Sequence, residues 1–188
     1  MQALLLRHGE SAHNAHTGPD SLADELGDRL TERGREQALA AARGLIDAGV
    51  TELLSSPMRR AAETAAAIGA ALGIEPVTVP HAHELGAESF EEAVGRVRRL
   101  KAELEERPDA GRVLLVTHGI FIRFFLLDSV LADEFAPPMA GRVWHLRSHN
   151  CGLSEFEPGG AVDPAGGITP GWSCLSWMER PWDPPRRP

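Results

Sequence analysis

The sequence is poor in several features that would each have pointed to a different kind of protein. It has only two cysteines, Cys151 and Cys174. They lie far apart and form no CxxC pair, so neither a disulfide framework nor a zinc site is indicated, and a reduced, cytoplasmic protein is expected. Long apolar runs are missing. None approaches the roughly 18 residues of a membrane helix, and the opening MQALLLRHGE lacks the basic start and apolar length of a signal peptide. No membrane partner is expected without such a run, and positive charge is outweighed, with a formal net charge of −8 that argues against a nucleic-acid partner. A small phosphorylated substrate stays open, because a pocket can be basic on an acidic protein. Lysine is almost absent. Lys101 is the only one, so an isolated arginine carries little information and only an arginine in an unusual place counts.

What remains is an ordinary globular balance, 43% hydrophobic and 24% charged, in a chain long enough for one compact domain. That domain is expected over residues 1–180, with a disordered Pro/Arg tail over 181–188. Short apolar runs at 3–6, 52–54, 77–79 and 113–116 read as strands, and longer patterns at 31–48 and 120–131 as helices. Ser56-Pro57 predicts an N-cap and first helical residue for a helix ending at Gly73. Ser89 and Glu92 fit a capping box that starts a helix to about 107, followed by a turn at 108–111. Late strands are expected at 143–146 and 153–156, about a turn near Asn150, with another near 172–175. This alternation implies an α/β fold, a three-layer α/β/α sandwich with a mostly parallel central sheet.

Two segments echo each other: Leu4-Leu5-Leu6-Arg7-His8-Gly9 and Leu114-Leu115-Val116-Thr117-His118-Gly119. Each is a buried-type strand running straight into a polar residue, a histidine and a glycine. Ligands in open α/β sheets bind beyond the carboxyl ends of the strands. If these strands are neighbours, His8 and His118 face one crevice. Gly9 and Gly119 would let backbone approach a bound group, and the amides after Gly119 would suit an anion. Arg59 and Arg60 open a predicted helix, where the macrodipole disfavours cations by a few tenths of a kcal/mol. An anion to hold would explain them; a solvated pair would explain them equally well.

Taken together these residues resemble the histidine phosphatase superfamily, the group that includes the phosphoglycerate mutases. Arg7-His8-Gly9-Glu10-Ser11 with Asn14 resembles its RHGxSxxN signature. Leu30-Thr31-Glu32-Arg33-Gly34 with Gln37-Ala38 resembles its LTxxGxxQA helix start, and residues 56–65 its S-P-x-x-R-A-x-x-T-A segment. That match assigns the family's arginine to Arg60 and not Arg59. Val116-Thr117-His118-Gly119 resembles the second histidine segment. The resemblance runs in family order from Leu4 to about Asn150 and implies a phosphoglycerate mutase-like fold.

It also implies a chemistry that uses neither metal nor cofactor. His8 attacks phosphorus and becomes a phosphohistidine, which requires a neutral imidazole whose other nitrogen is held by a backbone carbonyl. Arg7 and Arg60 offer planar forks to the phosphoryl oxygens, with His118, Asn14 and Gly119 contributing further contacts. Glu84 is expected as the general acid. The chain departs here from relatives that follow this glutamate with a Gly-x-Trp-x-Gly-like stretch, so Glu88 competes with it. Glu92 is assigned to the capping box. The pairs His81/His83 and His145/His149, with His13 and His16, lack a placed third ligand and are read as ordinary histidines rather than a metal site. A phosphomonoesterase is the leading expectation, since few residues are available for a water-excluding lid. A mutase is the nearest alternative and a non-catalytic phosphate-binding module a further one. Specificity is expected from 15–27 (where Thr17-Gly18 is similar to a mutase pair), the Glu84 region and 131–141. The late tryptophans are expected either to pack the C-terminal segment or to mark a self-association surface.

Overall fold

The computed structural model describes residues 1–15, 28–107, 111–162 and 164–183. In chain order its elements are β1 (Gln2–Arg7), α1 (Ala12–Ala15), α2 (Glu32–Gly44), β2 (Glu52–Ser55), α3 (Arg59–Leu72) and β3 (Val77–Thr78). There follow α4 (Phe90–Glu105), β4 (Arg112–Thr117), α5 (Gly119–Leu131), α6 (Pro137–Ala140), β5 (Leu153–Pro158), the small β6 (Ala161–Val162) and β7 (Ile168–Thr169) hairpin, and β8 (Trp172–Glu179). The main sheet has the order β3-β2-β4-β1-β5-β8. Its first four strands are parallel, and β5 and β8 run antiparallel at one side.

The period-2 alternation of the strands divides the core into two faces. Leu4, Leu6, Leu53, Leu114 and Val116 meet Ala41, Ala42, Leu45, Ala61, Ala65 and Ile68 of the α2/α3 side. Ala3, Leu5, Leu54, Val113 and Leu115 meet Val97, Leu100, Phe121, Ile122 and Phe125 of the α4/α5 side. The first layer is alanine-rich and the second phenylalanine-rich. This is the expected three-layer sandwich.

Local signals set most boundaries. Thr31 caps α2 by accepting from the Gly34 amide, Ser89 and Glu92 form the reciprocal capping box of α4, and Gly73 ends α3 in the left-handed conformation at φ 69°. Three expectations change. The N-cap of α3 is Met58, not Ser56, because the Ser56 hydroxyl is drawn toward His118. Residues 141–145 form a 3-10 turn and not a strand, since β5 already pairs with β1 and leaves no ladder partner there. The C-terminal tail begins later than 181. Trp182 packs against Gly44 and the α2/α3 core, and Arg180 pairs with Asp183 at 2.7 Å, while 184–188 lie outside the described residues. The late tryptophans pack onto the body of the fold. Trp172 bonds Glu105 at 2.6 Å and meets Phe125 edge-on, and Trp177 bonds the Arg147 carbonyl at 3.2 Å. The expected 108–111 turn lies outside the described residues except for Gly111.

One close approach locks the first turn of α2 to the segment leaving β1. A Cβ on Gly34 would lie 1.9 Å from the Glu10 carbonyl oxygen, and a Cβ on Gly9 2.5 Å from the Gly34 oxygen. Both obstacles are backbone, which cannot swing aside as a side chain can. Gly34→Ala is therefore expected to destabilise the fold by about 3 kcal/mol or more, against about 1 kcal/mol for the cap deletion Ser89→Ala. Urea unfolding of the two variants beside the native chain checks the order, and near-native stability of Gly34→Ala would refute the contact.

Candidate active site

Strands β1 and β4 are neighbours, paired in parallel with Arg7 opposite Thr117. The next residue of each strand is a histidine, so His8 and His118 emerge side by side at the carboxyl edge, with ring centroids 5.2 Å apart. Both are buried. The His8 Nδ1 lies 2.6 Å from the Gly9 carbonyl oxygen, an atom that can only accept, so Nδ1 carries the proton. That leaves a lone pair on Nε2, which accepts from Arg60 Nε at 3.0 Å. Burial, reinforced by Arg60 and Arg7, pushes the His8 imidazole well below its ordinary pKa. His118 is lowered in the same way, by burial first and then by His8 and the two arginines.

The arginines arrive from different elements. Arg7 ends β1 and donates from Nη1 to the Ser148 carbonyl at 2.8 Å. Arg60 enters from the first turn of α3, where helix geometry places it beneath the strand ends, and pairs with Asp28. Among the described residues two buried nitrogens of this cluster have no hydrogen-bond partner: Arg7 Nε, which is a donor, and His118 Nδ1, which is a donor when Ser56 Oγ donates to Nε2. A buried unpaired donor is costly, and an anion placed against it would remove the cost.

The remaining sequence motifs serve as scaffolding. Gly9 donates to Thr64 Oγ1 at 3.1 Å, Glu10 N to Gln37 Oε1 at 2.8 Å, and Thr31 Oγ1 to Glu10 Oε1 at 2.9 Å. The small size of Gly9 is used against Gly34 rather than against a ligand. Gly119 likewise makes room for protein: a Cβ there would lie 2.7 Å from Ser148 Oγ and 3.3 Å from Arg7 Nε. Asn14 accepts from the Ser11 amide and hydroxyl at 2.6 and 2.8 Å, and donates to Asn150 at 3.3 Å.

Glu84 occupies the anion position expected at the start of α5. Its Oε1 accepts from the Phe121 and Leu85 amides at 3.1 and 3.0 Å, and its Oε2 from Ile120 at 3.3 Å. Glu88 points elsewhere. Arg96 grips it through two bonds, holding its carboxyl below the usual carboxylate range. The same guanidinium donates to the His81 and His83 carbonyls at 2.6 and 2.9 Å, so Arg96 clamps the loop that carries Glu84. His81 itself lies 3.2 Å from Glu103, His83 bonds the Glu84 carbonyl at 3.0 Å, and His13 is exposed. His16 and Thr17-Gly18 lie outside the described residues.

Several contacts were not legible beforehand. Ser56 Oγ lies 2.7 Å from His118 Nε2 and also accepts from the Met58 amide, a dual use that its position before Pro57 disguised as a helix cap. Asp28, Ser148 and Asn150 reach the cluster from distant segments, with Asn150 donating to the His8 carbonyl at 3.1 Å. No local pattern marks them.

Neutral burial of His8 and His118 has a sign. Their folded pKa values lie below the unfolded value near 6.5, so their contribution to stability is whole above that pH and is lost as pH falls. Urea midpoints of the native chain are expected to drop between pH 7.5 and 5.5 in phosphate-free buffer, and to drop less in a His8→Gln/His118→Gln double variant. Parallel profiles would show that these imidazoles are not held neutral.

Comparison with known proteins agrees with this arrangement. The family model of the histidine phosphatase superfamily (branch 1) matches residues 3–87 and 78–162. A probable phosphoglycerate mutase of Yersinia enterocolitica is 30% identical over 84% of this chain and 85% of its own length. Among solved structures, a mycobacterial glucosyl-3-phosphoglycerate phosphatase superposes with a TM-score of 0.71 at 23% identity, covering 95% of this chain and 99% of that one. The phosphoserine phosphatase of Entamoeba histolytica gives a TM-score of 0.72 at 18% identity, covering 96% of this chain and 98% of that one. Sequence profile, curated relatives and fold coincide, and the chain belongs to the histidine phosphatase superfamily.

Proposed function

We propose that the chain is a phosphomonoesterase that works through a phosphohistidine on His8, without a metal. The observation that carries this reading is the preset His8 ring, with Nδ1–H committed to the Gly9 carbonyl and the Nε2 lone pair facing Arg60. A buried neutral imidazole becomes the nucleophile once the Arg60 Nε–H that bonds its Nε2 turns to the phosphoryl oxygens, and the two guanidinium groups already supply the electrophile's counter-charge.

In the first step Nε2 forms a bond to phosphorus as the P–O bond to the alcohol breaks. Arg7, Arg60 and His118 Nδ1–H supply donors to the equatorial oxygens. The leaving alkoxide takes a proton from Glu84, whose Oε2 is the more lightly held oxygen, with a single amide at 3.3 Å. In the second step water attacks the phosphohistidine, gives its proton to Glu84 and releases phosphate, restoring neutral His8. The contact between Met58 Sδ, Arg60 and the Glu84 amide links the acid's loop to the phosphoryl site.

The curated relatives named as probable phosphoglycerate mutases favour a second reading, in which a bound alcohol takes the phosphoryl group in place of water. Hydrolysis is preferred because only residues 85–89 separate Glu84 from α4, which leaves little chain for a lid. Both cysteines are free, in keeping with a cytoplasmic setting.

Phosphate release from sugar phosphates, phosphoglycerates, nucleotides and phosphoamino acids in EDTA tests the reading beside His8→Ala. Release by the native chain and none by the variant is expected. Glu84→Gln should lower turnover of alkyl phosphates about 10²–10⁴-fold while sparing p-nitrophenyl phosphate, whose leaving group needs no proton. Activity surviving in His8→Ala would overturn the nucleophile assignment. Isomerisation of a phosphoglycerate without phosphate release would establish the mutase reading instead.

A further inference from the structure

One more arginine lies on the helix that holds the acid. Arg123 lies one turn into α5, the helix whose opening amides hold Glu84. Its Nε donates to the Leu146 carbonyl at 2.7 Å, and its guanidinium carbon lies 5.5 Å from the centre of the Trp144 ring. Trp144 is 66% exposed, a large apolar surface left to solvent.

The segment carrying Trp144 is a strap along the site. Taken at every second position, its residues meet the cluster in spatial order: Trp144 and Leu146 hold Arg123, Ser148 holds Arg7, and Asn150 holds the His8 carbonyl and Asn14. His145 and Arg147, between them, face solvent. Arg123 is thereby fixed at one end of a row that has His8 at the other.

Charge along this row is unbalanced. Arg7 and Arg123 are both partly buried, Arg123 raises the cost of the Arg7 charge, and the Glu84 carboxylate acts favourably on both. That carboxylate is already engaged with three backbone amides. Among the described residues the Nη nitrogens of Arg123 have no protein partner.

We propose that Arg123, braced by Trp144, is the residue that receives a carboxylate on the alcohol portion of the substrate. The assignment rests on the phosphomonoesterase reading. Phosphoryl transfer takes place between His8, Arg7 and Arg60, and Glu84 protonates the departing oxygen, so a group beside Glu84 and beyond Arg7 faces the leaving alcohol. A planar guanidinium with unused Nη donors matches a carboxylate's geometry. The exposed indole gives the carbon skeleton a surface to lie on.

Phosphoserine and phosphoethanolamine differ only by a carboxylate and make the deciding pair. Affinity is measured by calorimetry on the His8→Ala background, with and without Arg123→Gln, and kcat/KM is measured for the same pair with His8 intact. Preference for phosphoserine is expected, and Arg123→Gln should collapse the ratio about 10–100-fold, the value of a charge-assisted bond pair. Arg123→Lys, which keeps the charge and guards against a folding artefact, should retain part of the ratio. A ratio near one in the native chain, an equal loss for both ligands, or stronger binding of a sugar bisphosphate than of any carboxylate ester would overturn the assignment. Because binding is read without turnover, failure of native catalysis would refute the phosphatase reading while the calorimetric ratio still decides this one.

Discussion

The parallel register between β1 and β4 is the constraint on which the site depends. With Arg7 opposite Thr117, the residues that follow must leave the sheet at one height, and they are His8 and His118. A slip by one residue would turn every side chain of the strand to the other face, exchanging the two apolar layers and separating the histidines. The apolar alternation that builds both core faces therefore also fixes the distance between the imidazoles. The amide of His8 bonds the Thr117 carbonyl at 2.9 Å and that of Ser56 the Val116 carbonyl at 2.9 Å, so backbone ladder geometry persists into the site itself. Positioning of this kind costs nothing further when substrate arrives.

Around this frame the electrostatics oppose themselves in a useful way. Arginines beside buried imidazoles make protonation of the histidines expensive, which preserves a nucleophilic lone pair, and burial makes the arginines themselves costly. Asp28, paired with Arg60, is a negative charge that offsets this in the resting protein. Asp28 lies where the guanidinium of Arg60 can be shared, so it competes with a phosphoryl group for the same donors while helping to orient them. The unpaired Arg7 Nε and His118 Nδ1 have no such substitute.

How far the sequence foretold this follows from the range of each interaction. Strand and helix identities, the α4 capping box and the left-handed stop at Gly73 are set by residues within a few positions of one another, and they were readable. The twin His-Gly segments were readable because each is a local pattern, and their pairing followed once parallel strands were inferred. Ser56 was misread because a serine before a proline suits a helix cap, yet a histidine 62 positions later claims its hydroxyl. The 143–146 run reads as a strand yet falls in the 141–145 3-10 turn, because side-chain preference cannot report whether a ladder partner is vacant. Asp28, Arg96, Ser148 and Asn150 act across 13 to 142 positions, a range at which no spacing rule speaks.

The same division separates reaction from specificity. In the proposed mechanism the residues that handle the phosphoryl group come from strand ends and the first turn of α3, where backbone hydrogen bonding leaves almost no freedom. Arg123, proposed to meet the alcohol, is held by the 144–150 strap, which has little regular structure of its own and is tied down by bonds to Arg123, Arg7 and the His8 carbonyl. A change at Trp144 or Leu146 disturbs Arg123 without moving a sheet hydrogen bond, whereas a change at Ser148 reaches Arg7 directly. Such a strap can be altered at one end to admit a different alcohol while its other end continues to support His8.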